Sequence, residues 1–265
     1  MKLSSIPHRI YRNVSRAREV IAVLIKYGLA DGFSQLPLEF AKDLFKGPAG
    51  DALARNTRAT RIRLALSELG PTFIKLGQIL STRPELVGIE LAAELQKLQE
   101  DAPADPPETV RAMIEAELGQ PVEELFSEFD ERPLASASIG QVHHARLRDG
   151  EPVVIKVQHA GIESKIRVDL EIILGMAQLA EMHPDFKNYR PTATAAEFQR
   201  TLLRELDFGR EERNLLQFAT IFRDDPRIHI PRSYSELSTS RVLTMERLHG
   251  IKLAEADRLI AEGFD

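Results

Sequence analysis

Apolar positions recur along this chain with two spacings. Ile10, Val14, Ala17, Ile21 and Leu24 fall three and four apart, the period of an amphipathic helix. Gly32, Pro37, Gly47 and Pro48, with Gly50 closing, mark a connector over 31–50. From Asp51 to Glu100 the pattern is again helical. Ile62, Leu64, Ala65 and Leu69 begin an apolar face, and Gly70-Pro71 ends that helix and opens the next, with Pro71 at a favoured first position. Phe73, Leu76 and Leu80 line one face of this second helix, Pro84 breaks it, and Glu85 to Gln99 predicts a third. Pro107 to Leu118 predicts a helix stopped by Gly119, and Pro121 to Phe126 a short one. The period then drops to two. Val153, Ile155 and Val157 alternate with Val154, Lys156 and Gln158, and Asp149-Gly150 supplies the turn of a hairpin in front of them. Helical spacing returns over Ile162 to His183, through Ile166, Leu170, Ile173 and Leu174. It returns again over Thr192 to Phe222, the longest predicted helix, on Phe198, Leu202, Leu203, Leu215 and Phe218. Ile228 to Ile230 and Arg241 to Leu248 predict two further strands, with Ser238-Thr239-Ser240 as a turn, and Lys252 to Phe264 starts a last helix.

At 265 residues the chain can bury a sizeable core and hold one large or two small domains. Its apolar content of 43% and charged content of 28% are those of a soluble globular protein. A net charge of −5 gives no global attraction to nucleic acid, and the basic patch of Arg58, Arg61 and Arg63 has no interleaved aromatics. The absence of cysteine excludes disulfides and thiolate metal sites and is compatible with a reducing cytosol. The longest apolar run, Val20 to Ile25, falls far short of the ~20 residues needed to cross a bilayer. Charge does change the reading of the first helix. Lys2, Arg9, Arg12, Arg16, Arg18 and Lys26 stand against only Glu19 and Asp31, so it can lie on an anionic membrane surface. Its apolar stripe can equally dock on the body of the protein, the commoner use of such a stripe.

Candidate chemistry gathers at the hairpin. Ala135, Ser136, Ala137, Ser138, Ile139 and Gly140 form a small-residue turn in which backbone N–H groups can approach phosphate oxygens. Lys156 follows on a strand. A donor-rich turn followed by a strand lysine suits nucleotide phosphates, and an ordinary hairpin with an exposed lysine fits the same residues. Lys75 and Gln78 share one face of their helix, which taken alone is a solvated face. Glu205, Asp207, Glu211 and Glu212 admit the same bland reading. Among the seven histidines, His143 and His144 are adjacent and face opposite ways on a strand, and no pair has ligand spacing on one helix face, so no metal site is expected.

Four motifs in order resemble the UbiB/AarF family of atypical kinase-like proteins. Lys75-Leu76-Gly77-Gln78 reads K-x-G-Q within LGPTFIKLGQILSTRPEL. Ala135 to Gly140, running into Gln141-Val142-His143, resembles the family's alanine-rich loop. Val154-Ile155-Lys156 matches its strand lysine, and Glu205-Leu206-Asp207 its E-x-D. The resemblance covers about residues 50 to 260. It implies that Lys156 holds the α- and β-phosphates of ATP and that Glu211 orients it. Two unit charges ~4 Å apart are worth about 4 kcal/mol at an effective dielectric of 20, enough to fix a side chain. It also implies that Glu205 and Asp207 meet Lys75 and Gln78 of a helical extension that covers the protein-substrate site. Positions 205 and 211 lie roughly 120° apart on a regular helix, so a bend is expected, with Gly209 as its place. Asp207-Phe208-Gly209 spells the kinase D-F-G, yet it precedes the last strands and no catalytic-loop string occurs, so Asp207 is taken as the second acid of E-x-D. Met245 and Glu246 resemble the hinge whose backbone binds adenine. Only Gly140 remains where a kinase loop has several glycines, and Ser136 departs from the family's usual alanine.

The expected fold is therefore α+β, a protein-kinase-like small lobe of antiparallel sheet plus helices behind an N-terminal all-helical extension. The expected divisions are an arm and connector at 1–50, the extension at 51–131, the small lobe at 132–250 and the start of a large lobe at 251–265. A partial sequence is expected, since Arg258 to Asp265 stops mid-helix. The implied function is an atypical kinase or ATPase supporting ubiquinone (coenzyme Q) biosynthesis, cytoplasmic or peripheral at the inner membrane. ATP and Mg2+ are its implied cofactors, with the Mg2+ ligands in the missing lobe. Ubiquinone-biosynthesis proteins and an isoprenoid lipid or membrane surface are its implied partners, and nucleic acid is not one. The alternative is a non-catalytic nucleotide- or lipid-sensing module that regulates proteins at a membrane.

Overall fold

The structure, a computed structural model, describes residues 6–29, 56–99, 102–184, 188–251, 253 and 255–264. The connector expected at 31–50 lies outside them. In chain order the elements are α1 (Ile6–Lys26), α2 (Arg58–Leu69), α3 (Pro71–Ser81), α4 (Pro84–Val87), α5 (Ile89–Leu95), α6 (Pro107–Leu118), α7 (Val122–Leu125), β1 (Phe126–Phe129), β2 (Ala135–Ser136), β3 (Gly140–Leu147), β4 (Pro152–Gln158), α8 (Ile162–Glu181), α9 (Pro191–Glu205), α10 (Phe208–Ile221), a 3-10 turn (Ser235–Leu237), β5 (Val242–Glu246) and α11 (Ala256–Ala261). They form two compact units. The first takes the described residues of 1–104, 136–140 and 159–206, and the second those of 105–135, 141–158 and 207–265.

The first unit is helical. α2, α3 and α5 pack on one another, α8 packs on α9 and α3, and α1 lies against α2 and α8. The docked face of α1 is turned from the predicted stripe but overlaps it. Val20, Val23, Ile25 and Tyr27 are buried, Ala17, Ile21 and Leu24 of the stripe are half-buried, and Val14 is 46% exposed. Position 16 belongs to the docked face as well, because Arg16 finds Asp169 there at 2.7 Å and can be buried as an ion pair. The predicted third helix is two, because Gly88 takes φ +86° between α4 and α5.

The second unit is built on an antiparallel sheet of order β1-β3-β4-β5, with β2 pairing β3. Gly150, at φ +90°, donates its N–H to the Leu147 carbonyl and closes the β3–β4 hairpin at the predicted turn. Val153, Ile155 and Val157 are fully buried in one core with Ala145, Leu147, Val242 and the α6 residues Val110 and Ile114. Burying each such side chain contributes about 1.5–3 kcal/mol, and a one-residue slip would turn all three outward, so the register is firmly set. Lys156 therefore stands on the other face. The strand expected at Ile228–Ile230 does not form. Ile228 donates its N–H to Asp225 in a turn, and pairing with β5 begins only after Pro231, which has no N–H, through Ser233 opposite Met245.

Candidate functional site: two lysine–glutamate pairs

In the second unit, β4 carries Lys156 and α10 brings Glu211 to it. The ammonium donates to the Glu211 carboxylate at 2.6 Å and sits 4.6 Å from the centre of the Phe208 ring. Phe208 and Glu211 are three apart, so one face of α10 presents both. Phe208 is buried, and its N–H donates to the Ser240 carbonyl, which fixes where the helix begins. The two charged side chains are 28% and 42% exposed, so solvent screens the pair and its worth is orientation more than stability. A lysine ammonium has three donors, and Glu211 takes one. Sequence reasoning passed over Phe208, although its spacing to Glu211 was the signal.

The predicted long helix ends at Glu205 and restarts at Phe208. The break is two residues before Gly209. Asp207 has extended backbone, and its carboxylate accepts the Gly209 N–H at 3.1 Å as the N-cap of α10, with Arg213 on its second oxygen. The break removes the constraint of a single regular helix on positions 205 and 211.

In the first unit, Lys75 on α3 lies 3.2 Å from the Glu205 carboxylate at the end of α9, the lysine side chain being 17% exposed. The other members of K-x-G-Q turn elsewhere. A Cβ on Gly77 would come within 2.3 Å of Leu98 Cδ1 and 2.9 Å of Leu66 Cδ1, so the glycine lets α3 approach its neighbours closely. Gln78 donates its amide to the Leu98 carbonyl at 3.4 Å. Within the first unit, Lys75 and Glu205 pair, and Gln78 is hydrogen-bonded to the Leu98 carbonyl.

The alanine-rich loop is tied to itself and to His159. The Ala137 N–H donates to the Gly140 carbonyl at 2.9 Å, and the His159 N–H to the Ile139 carbonyl at 3.0 Å. His159 Nε2 lies 2.8 Å from the Ala137 carbonyl and 3.5 Å from Ser136 Oγ. Ser138, Ile139 and Gly140 are buried, and Ala135 is exposed. Gln141 and His143, which continue the loop motif into β3, are fully buried in the second unit. Met245 pairs with Val154 on the sheet. Glu246 donates its N–H to the Arg232 carbonyl at 2.8 Å, so that hinge amide is committed to the fold. Partial burial pushes the Glu246 carboxyl up, but the Arg232 N–H and His229 outweigh it and hold the group below the usual carboxylate range. Among the described residues, no three His, Asp or Glu side chains cluster to hold a metal ion.

An antiparallel sheet whose strand lysine is clasped by a glutamate from a helix is the small lobe of a protein-kinase-like fold, here with a set of N-terminal helices. The ABC1 atypical kinase-like domain matches residues 97–265, and the chain belongs to that family. A protein of Marinobacter nauticus named "Probable protein kinase UbiB" is 44% identical over 208 residues, covering 78% of this chain and 38% of that protein. One of the same name from Shewanella baltica is 37% identical over 265 residues, covering 95% of this chain and 47% of that protein. The chain thus spans less than half the length of these relatives. Among solved structures, the Rv3197–erythromycin complex from Mycobacterium tuberculosis matches with a TM-score of 0.52 and 32% identity, over 69% of this chain and 45% of that one.

Proposed function

We propose that this chain is the ATP-binding portion of an atypical kinase or ATPase acting in ubiquinone (coenzyme Q) biosynthesis. The observation that carries the reading is the Lys156–Glu211 pair at 2.6 Å. A strand ammonium steered by one carboxylate keeps donors for the phosphates of a nucleotide, and this part of kinase catalysis is positioning and electrostatics. Phe208, whose ring centre lies 4.6 Å from the ammonium, limits its swing. Mg2+ bound with the nucleotide would neutralise phosphate charge, and its ligands belong to the length of the relatives that this chain does not span. The pathway rests on the relatives named UbiB. Among the described residues no helix is long and apolar enough to cross a membrane. Of the basic residues of α1 whose side chains are described, Arg16 and Lys26 are held in ion pairs with Asp169 and Glu68, and Arg18 is exposed.

Calorimetric titration of the purified chain with ATP, with and without Mg2+, tests the reading. A charge-assisted hydrogen bond contributes about 1.5–3 kcal/mol, so Lys156→Ala should weaken binding roughly ten- to a hundredfold. Glu211→Gln, which releases the ammonium without removing it, should weaken binding less. Unchanged affinity in Lys156→Ala would sink the site.

A further inference from the structure

Two charges outside every motif meet at the root of the K-x-G-Q helix. Asp169 lies on α8 between Ile166 and Ile173, on the stripe that α8 buries, and its side chain is wholly inaccessible. Arg16, 11% exposed, reaches it from α1 with Nε donating to Oδ1 at 2.7 Å and NH2 to Oδ2 at 3.2 Å. The same NH2 donates to the carbonyl of Leu69, the last residue of α2, at 2.7 Å. On the other side, Thr72 donates its hydroxyl to Asp169 Oδ2 at 2.7 Å. Thr72 is the second residue of α3, and only Gly70, at φ +92°, and Pro71 separate it from Leu69. The cation therefore stands at the carbonyl end of one helix and the carboxylate at the amide end of the next, the favourable sense at both helix dipoles. α3 has no side-chain cap of its own. Asp169 serves its first turn from another helix.

We propose that the Arg16–Asp169 pair is a positioning device for Lys75: it fixes the elbow between α2 and α3, and through the first turn of α3 it aims the Lys75 ammonium at Glu205. Lys75 is three residues beyond Thr72, and a helix that short transmits the orientation of its first turn. A buried ion pair is a weak source of stability, because apolar residues of similar volume often replace it without loss. What apolar residues cannot supply is a directed bond to Thr72 and a bond to the Leu69 carbonyl. The device makes a residue of the N-terminal helix part of the support for the motif lysine.

The test separates aim from stability. Reductive methylation of the intact chain, followed by mass spectrometry, reads the reactivity of Lys75, with Lys97, 64% exposed, as the internal reference. Glu205→Gln gives the rate of a Lys75 that has lost the Glu205 charge. In Arg16→Met/Asp169→Leu, melting should stay near that of the unaltered chain while Lys75 reactivity rises about tenfold, toward the Glu205→Gln rate, corresponding to about 1.4 kcal/mol of lost pairing. Thr72→Val, which deletes one hydrogen bond, should raise it less, and Thr72→Ser should leave it unchanged. If the double variant folds and Lys75 reacts at the original rate, the proposal is overturned. Should the double variant not fold, Thr72→Val decides, and an unchanged rate there overturns the proposal equally.

Discussion

His143 shows how two partners fix a protonation state. Its Nδ1 faces the Asp130 carbonyl at 2.8 Å, a group that only accepts, so Nδ1 carries the proton. Its Nε2 faces the Gln141 amide nitrogen at 2.7 Å and accepts, while Gln141 Oε1 takes the Asp105 N–H at 2.7 Å. A second proton on His143 would confront an amide N–H that cannot accept it, and burial pushes the imidazole below its usual range. The folded state therefore binds this proton more weakly than the unfolded chain. The contribution to stability is present above the unfolded value of about 6.5 and is lost as pH falls from there through the folded value. Denaturant unfolding at pH 7.5 and 5.5 should show this loss, and His143→Gln should flatten it; an unaltered slope would mean that other groups carry it. Gln141 and His143 were legible as part of a motif, but motif membership cannot separate a ligand from a core residue. Their spacing could have: positions 141, 143, 145 and 147 share one face of β3, and Ala145 and Leu147 are core.

At the scale of elements, periodicity located nearly every helix among the described residues and placed the hairpin, and it failed where a local hydrogen bond or a backbone angle interrupts a helix or strand. Between Thr192 and Phe222 the apolar spacing runs on, and Gly209 is the stronger breaker by composition. The chain breaks at Asp207 instead, because a carboxylate there satisfies an amide that the start of α10 leaves open. Replacing a capping Asp by Ala costs typically ~1 kcal/mol, so Asp207→Ala should lower stability by about that amount. Asp207→Asn, which still accepts from Gly209, should stay within a few tenths of a kcal/mol of the original. Chemical denaturation measures both. Equal losses in the two variants would assign the effect to the ion pair with Arg213 rather than to the cap. Because α10 carries Phe208 and Glu211, the Ala variant should also loosen Lys156, and ATP affinity should fall with it.

At the scale of the whole molecule, the antiparallel sheet, its strand lysine and the helices before it were legible from the order of four motifs. The burial of Arg16 and Asp169 was not, since hydropathy assigns charges to solvent and cannot see a partner 153 positions away. The two units can be followed separately because the chain has no tryptophan and four tyrosines. Tyr27, in the first unit, is pushed up to about 12, first by burial and then by donating its hydroxyl to Glu68 at 2.7 Å. Tyr234, in the second, is pushed up to about 12 chiefly by burial. A raised phenol favours the protonated folded state, so its contribution is complete below the unfolded value of about 10 and disappears as pH climbs through about 12. Absorbance titration of the phenolate should therefore show an upper step to which each unit contributes. Tyr27→Phe should remove the first unit's share and leave that of Tyr234, and Tyr234→Phe should do the reverse. The remaining phenol keeps its high value only while its own unit stays folded, so a single substitution that abolished the entire step would mean that the two units unfold as one.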